Sequence, residues 1–325
     1  MSRPTALAAA LLAASFASLF LALLSGPFPI SVLDVFDSLA YPAAGLVYDV
    51  IWQLRAPRAA AAFACGGLLA LAGALLQALL RNALADPYVL GVSSGAALGA
   101  LLALAAGAGT LLTNAAALAG AVAAIALVFG LSFRRGEWDV YRLLLTGVVA
   151  AAGFSALVSL VLVTAPHAQV KGMLFWLMGD LAYAGSPLAA WIVLAVILPV
   201  AVAGATGLDV LGLGEAKARS LGLAVKPLQV AVFLSAAIAT VAAVMLAGAV
   251  GFVGLMVPHA VRLLGVAAYR WLLPLSVLAG GAFLTLADTA ARTLAAPQQL
   301  PVGVLTAIIG VPVMLVLLGR RRAQL

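Results

Sequence analysis

Ten apolar runs of roughly bilayer-spanning length recur along the chain, at about 6–24, 59–80, 91–112, 115–133, 143–163, 188–206, 228–248, 250–266, 272–288 and 302–318. A bilayer crossing takes about 20 residues, and lipid supplies no hydrogen-bond partner, so such runs are restricted to helices that satisfy their own backbone. The pattern predicts an all-α polytopic membrane protein with about ten transmembrane helices, forming a single transmembrane domain over 1–325. Charge agrees. Only 8% of the residues are charged, against about 25% in a soluble domain. The run 6–24 follows Arg3 and could be a signal peptide, but it exceeds the usual apolar core of about 7–15 residues and is expected to be a first span.

Local chemistry sets the breaks. Asp86-Pro87 and Ser186-Pro187 each place a capping side chain before a proline suited to the first helical position, and Pro301 opens the last run. Residues 25–54 mix Asp34, Asp37 and Asp49 with apolar residues and read as an extramembrane loop with a short interfacial helix. Residues 168–185 are too short and polar to span, and Trp176 and Tyr183 suit an interface.

The basic residues orient the chain. With the N-terminus inside, Arg3, Arg81, Arg134, Arg135, Arg142, Lys217, Arg219, Lys226, Arg262, Arg270 and Arg320 to Arg322 fall on the inner side, against Arg55, Arg58, Lys171 and Arg292 outside. This positive-inside bias places both termini of the chain, which is read as a bacterial inner-membrane protein, in the cytoplasm. It also accounts for the net charge of +7 without nucleic acid, because no basic stripe interleaves with aromatics. Spans 2–5 and 7–10 begin five crossings apart, and each set holds a Gly/Pro-interrupted piece (84–96 and 250–260). An inverted repeat with broken helices is expected.

Several residues invite a functional reading. Gly91, Gly95 and Gly99 share one helix face, as close helix packing requires. Asn82, Asp86, Ser93 and Ser94 cluster at the inner end of a span pair, where a pathway could narrow. The inner loop 207–226 sets Leu211, Leu213, Leu221 and Leu223 among Glu215, Lys217 and Arg219, a pattern suited to docking another protein. Arg55, Arg58 and Arg292 stand against the charge bias as three planar forks suited to carboxylates. His167, His259 and the lone Cys65 form no metal set. The sequence contains no G-x-x-x-x-G-K-[ST] loop, so ATP binding by that motif is excluded. No span carries a carboxylate near its middle, which disfavours an ion-coupled carrier, and no nucleophile–base pair presents itself.

The segments RAPRAAAAFACGGLLALAGALLQALLRNALADPYVLGVSSGAALGA (55–100), LLLTGVVAAAGFSALVSL (143–160), FWLMGDL (175–181), GAVGFVGLMVPHAVRLL (248–264) and LADTAARTLAAPQQLPVGVLTAIIGVPVMLVLL (286–318) resemble the iron-siderophore, haem and vitamin B12 uptake permeases of type II ABC importers. The likeness covers nearly everything after residue 50; Ala83 departs from it, standing where the family usually has proline. It implies a homodimer with the pathway on its axis, two cytoplasmic ATPase subunits that bind ATP and Mg, and a periplasmic binding protein, with no cofactor in this chain. It further implies that Arg55, Arg58 and Arg292 face carboxylates on the binding protein. Gly214, Glu215, Ala218, Leu221 and Gly222 would lie in the ATPase coupling helices, and Asn82 and Leu84 near the cytoplasmic gate. Haem is the cargo expected within that class, with no residue of its own in its favour; cobalamin, a ferric siderophore and an ion-coupled secondary carrier are the alternatives.

Overall fold

The computed structural model describes residues 3–40, 45–134, 137–138, 140–182 and 184–321; Arg135, Tyr183 and Arg322, used above for orientation and interface, lie outside the described residues. Helix α1 (Arg3–Leu24) is followed by α2 (Val32–Ala40), then by α3 (Leu46–Asp49), a π-helical stretch (Val50–Arg55) and α4 (Ala56–Leu79). A 3₁₀ turn (Pro87–Leu90) leads into α5 (Val92–Ala105), and α6 (Thr110–Ser132) joins α7 (Val140–Thr164) through the antiparallel pair β1 (Phe133–Arg134) and β2 (Glu137–Trp138). There follow α8 (His167–Met178), α9 (Leu188–Ala203), α10 (Ala205–Leu211), α11 (Glu215–Ser220), α12 (Val225–Ala247), α13 (Val253–Leu263), α14 (Tyr269–Thr293) and α15 (Val302–Arg321).

Each of the ten apolar runs carries a helix. Among the described residues six segments are long and apolar enough to cross a membrane alone, with a seventh if α9 and α10, bent by 58°, are taken as one span. The fold is the polytopic helical one expected. One boundary differs: residues 46–54, read from sequence as loop, are helical and continue into α4 as one 34-residue segment. The π-helical register just before Pro57 explains how a proline is carried there, because the regular ladder is already interrupted.

Helix α4 is the centre of the bundle. Almost every residue from Ala59 to Leu79 is buried, as expected for a helix apolar on all faces, and α1, α9, α12, α13 and α14 all pack on it. Small residues permit this crowding. A Cβ on Gly73 would lie 1.9 Å from the carbonyl oxygen of Gly254 on α13, and one on Gly66 would lie 2.1 Å from that of Gly280 on α14. Gly73→Ala is therefore expected to force α13 away and to destabilise the protein by about 1–3 kcal/mol or more. Gly172→Ala, where the added carbon meets nothing within 4 Å, should be silent. Thermal unfolding of the two detergent-purified variants checks this, and equal midpoints would contradict it.

The interrupted segments give two helices too short to span. At about 1.5 Å per residue, α5 and α13 reach roughly 21 and 16 Å, against about 30 Å of hydrocarbon. The chain before α13 (248–252) is not helical, and its backbone groups need partners inside the bundle. Tyr88 supplies them: its hydroxyl accepts from the Val250 N–H (2.9 Å) and donates to the Val250 carbonyl (3.0 Å). The two breaks, far apart in sequence, are thus joined through one side chain.

Candidate functional site

The loop 207–226 folds as two short helices around a small core of its own. Leu211, Ala218 and Val225 are buried, with Leu223 and Leu228 packed against them. Gly214 (φ 101°) and Gly222 (φ 82°) hold conformations that side chains resist. At Gly222 the chain closes α11 with paired bonds, Gly222 N–H to the Arg219 carbonyl and Leu223 N–H to that of Ala218 (both 3.0 Å). Glu215 is held by Arg219 at 3.2 Å and by Gln229 at 2.9 Å. Of the leucines that suggested docking, Leu211 faces inward, whereas Leu213 and Leu221 are 55% and 61% exposed. A buried seat carrying two apolar knobs is what a partner's cleft can grip.

That loop touches the turn after α4. Arg81 takes φ 48°, and bonds from Arg81 N–H to Ala78 and from Asn82 N–H to Gln77 terminate the helix. The Asn82 side chain accepts from Leu84 N–H at 2.9 Å, shaping the turn, and leaves Leu84 exposed. A Cβ on Gly214 would lie 3.6 Å from an Arg81 guanidinium nitrogen. The residues expected at gate and coupling helix are therefore neighbours.

Beyond the turn, Asp86 caps the 3₁₀ segment by accepting from Tyr88 N–H (2.8 Å). A cavity of about 360 Å³ opens there, lined by Asp86, Tyr88, Gly251, Phe252 and Leu255. Phe252 sits at φ 69°, unusual for a bulky residue, and its ring covers Gly310 of α15. Gly95 and Gly99 lie against the backbone of α6 at Gly120 and Ala116, a packing role. His259 is buried in α13 and His167 is exposed. Among the described residues no three metal-ligating side chains gather.

At the opposite end, by the end of α1, the three arginines come together but not as an exposed patch. Arg55, only 4% exposed, donates to the carbonyls of Leu23 (2.7 Å), Leu24 (2.9 Å) and Phe28, and Arg292, 7% exposed, donates to that of Ala22. The physical reason is the helix terminus: the last carbonyls of α1 lack intrahelical donors and carry partial negative charge, which cations satisfy. Arg58 grips Asp288 with two nitrogens (2.8 and 2.9 Å) and donates to Gln299 (3.0 Å). Asp288 and Gln299 were missed in the sequence, although the spacing of Asp288 and Arg292, one helical turn apart, carried the signal. Nearby Asp180, in the loop after α8, is pushed above the ordinary carboxylate range by burial, opposed by its bond to Ala182 N–H and by Arg58.

Comparison with known proteins accords with this geometry. Residues 11–320 match the profile of the FecCD transport family. The chain is 40% identical over 283 residues to the cobalamin import system permease protein BtuC of Halobacterium salinarum, covering 85% of this chain and 74% of that one. It is 38% identical over 293 residues to the hemin transport system permease protein HmuU of Yersinia pestis, covering 85% and 86%. A solved inward-facing structure of a metal-chelate type ABC transporter superposes with a TM-score of 0.86 at 31% identity, over 98% of this chain and 99% of that one. With ten apolar helices, two breaks bridged by Tyr88 and a match along almost its whole length, the chain belongs to the FecCD transport family of membrane permeases.

Proposed function

We propose that the chain, paired with a second copy, forms the pathway of an ATP-driven importer carrying a large chelate of the B12, haem or siderophore kind from periplasm to cytoplasm. The observation that carries this is the full-length likeness to transport permeases. The loop 207–226 then seats on a separate ATPase subunit, which binds ATP and Mg. Leu213 and Leu221 enter its cleft, and Gly214 beside Arg81 passes the stroke to the turn at Asn82 and Leu84. At the other face, the small exposed edge of Arg58 meets carboxylates of a periplasmic binding protein. Arg55 and Arg292 serve that face by holding α1 in place. Both termini lie in the cytoplasm of a bacterium, with the chain in its inner membrane.

Haem remains the working cargo, and the two relatives quoted are named for different cargoes. Equilibrium binding of haem, cobalamin and a ferric siderophore to the partner binding protein separates them. The purified chain in liposomes should neither hydrolyse ATP nor take up cargo. Adding the ATPase and the loaded binding protein should start ATP-dependent uptake. Hydrolysis by the chain alone, or uptake driven by an ion gradient without the ATPase, would overturn the proposal.

A further inference from the structure

Helix α2 divides its surface into three sectors rather than two. Val35 and Ser38 face the protein: Val35 packs with Ile30 and Ile51, and Ser38 Oγ accepts from the Trp52 indole at 3.3 Å. At about 100° per residue, Val32, Leu33, Phe36 and Leu39 fall on a second sector, and all four are exposed, Leu33 by 72%. Asp34 and Asp37 form the third. The helix start is fixed by a reciprocal cap: Asp34 accepts from Ser31 N–H (2.7 Å) and Ser31 Oγ accepts from Asp34 N–H (3.1 Å). These bonds, the backbone one foremost, hold the Asp34 carboxyl below its ordinary range, so it stays charged.

The apolar sector is continuous with the bundle's exposed flank. Phe36 meets Phe20 of α1 with ring centroids 6.2 Å apart, and Phe20 lies one turn from the end of that span. One and two turns deeper on the same helix, Phe16 and Leu12 are exposed. A transmembrane helix with so little of itself buried presents that flank to lipid, and the same apolar surface runs without a break from α1 onto α2.

We infer that α2 is seated in the membrane surface where α1 ends, with Leu33, Phe36 and Leu39 among lipid chains and Asp34 and Asp37 in water. Such a helix sinks about 5–10 Å into the headgroup boundary. It contains no Lys or Arg, unlike helices drawn to anionic lipid, so its seat depends on apolar burial and not on lipid charge. Anchored by Val35 and Ser38 on the rod Leu46–Leu79, it fixes the depth of that end of the bundle. The inference needs only the membrane embedding, not the cargo or the ATPase.

The native Cys65 is fully buried, so single cysteines elsewhere can be spin-labelled selectively, with unsubstituted protein as the control. Labels at Leu33→Cys and Phe36→Cys in phosphatidylcholine vesicles should collide with oxygen in preference to a water-soluble nickel chelate. Their ratio should be about tenfold above that at Asp37→Cys, given an apolar face below the headgroups. The ratio should persist when phosphatidylglycerol is added. If Phe36→Cys fails to fold, Leu39→Cys reads the same sector. Nickel access at 33 and 36 equal to that at 37 would place the face in water. Immobile labels reached by neither probe would mean a second copy or another protein covers it. Either result overturns the inference.

Discussion

Leu221→Asp is expected to abolish assembly with the ATPase while leaving the permease itself folded. Leu221 is 61% exposed in the free chain, so a carboxylate there costs little until a partner covers it. Once covered, it is a buried charge without a partner, a situation that costs about 3–5 kcal/mol, or roughly 10²- to 10⁴-fold in affinity. The neighbouring Ala218 separates the two effects. It is fully buried in the loop's own core, so Ala218→Asp should unfold the loop in the free chain as well. Co-purification with the ATPase, read beside membrane insertion and thermal stability, decides. Wild-type complex formation and uptake by Leu221→Asp would reduce the loop to a connector.

The second large effect concerns Asp288. It is 2% exposed, gripped by Arg58, and within electrostatic reach of Arg292, which also feels Arg55. Asp288→Ala removes this anion and leaves buried arginines repelling one another, so a loss of about 3–5 kcal/mol in stability is expected. Arg58→Ala should cost less, because Arg292 remains near the carboxylate. The measurement is the unfolding midpoint of each variant in detergent, and Asp288→Ala melting with the wild type would refute the account. The same geometry changes how docking must be tested. Reversing all three arginines to Glu would set carboxylates against the α1 carbonyls and unfold that end, so lost binding would say nothing about docking. Arg58→Lys, which keeps the charge and loses the fork, is the informative change. Binding-protein affinity should fall modestly in it, and should weaken with salt in the wild type.

What could be read from the chain alone follows from range. Runs, proline breaks and the polar–leucine mixture of 207–226 are local patterns, so ten apolar helices, two interruptions and a loop that mixes leucines with charge were legible. Which leucine faces outward was not, because that depends on how α10 and α11 fold back on Val225. The arginines show the limit most clearly. Arg55 and Arg292 read as outer cations seeking acids, but their partners are backbone carbonyls, which have no sequence signature. Arg58 and Asp288 stand 230 residues apart, a pairing no periodicity reveals. Residues 46–54 were read with the loop because Asp34, Asp37 and Asp49 punctuate 25–54, whereas Ile51 packs with Val35 of α2 in a helix.

The bridge from Tyr88 to Val250 also bears on biogenesis. These residues are 162 positions apart. At about 5–20 residues per second of synthesis, Tyr88 waits roughly 10–30 s before Val250 has been made. During that interval α5 has been delivered to the membrane as a half-length helix, and the backbone that the Tyr88 hydroxyl will satisfy has yet to be made. The irregular stretch before α13 therefore enters a membrane in which its hydrogen-bond partner already waits. Chains truncated before residue 250 leave the Tyr88 hydroxyl without that partner and should be cleared by membrane proteases.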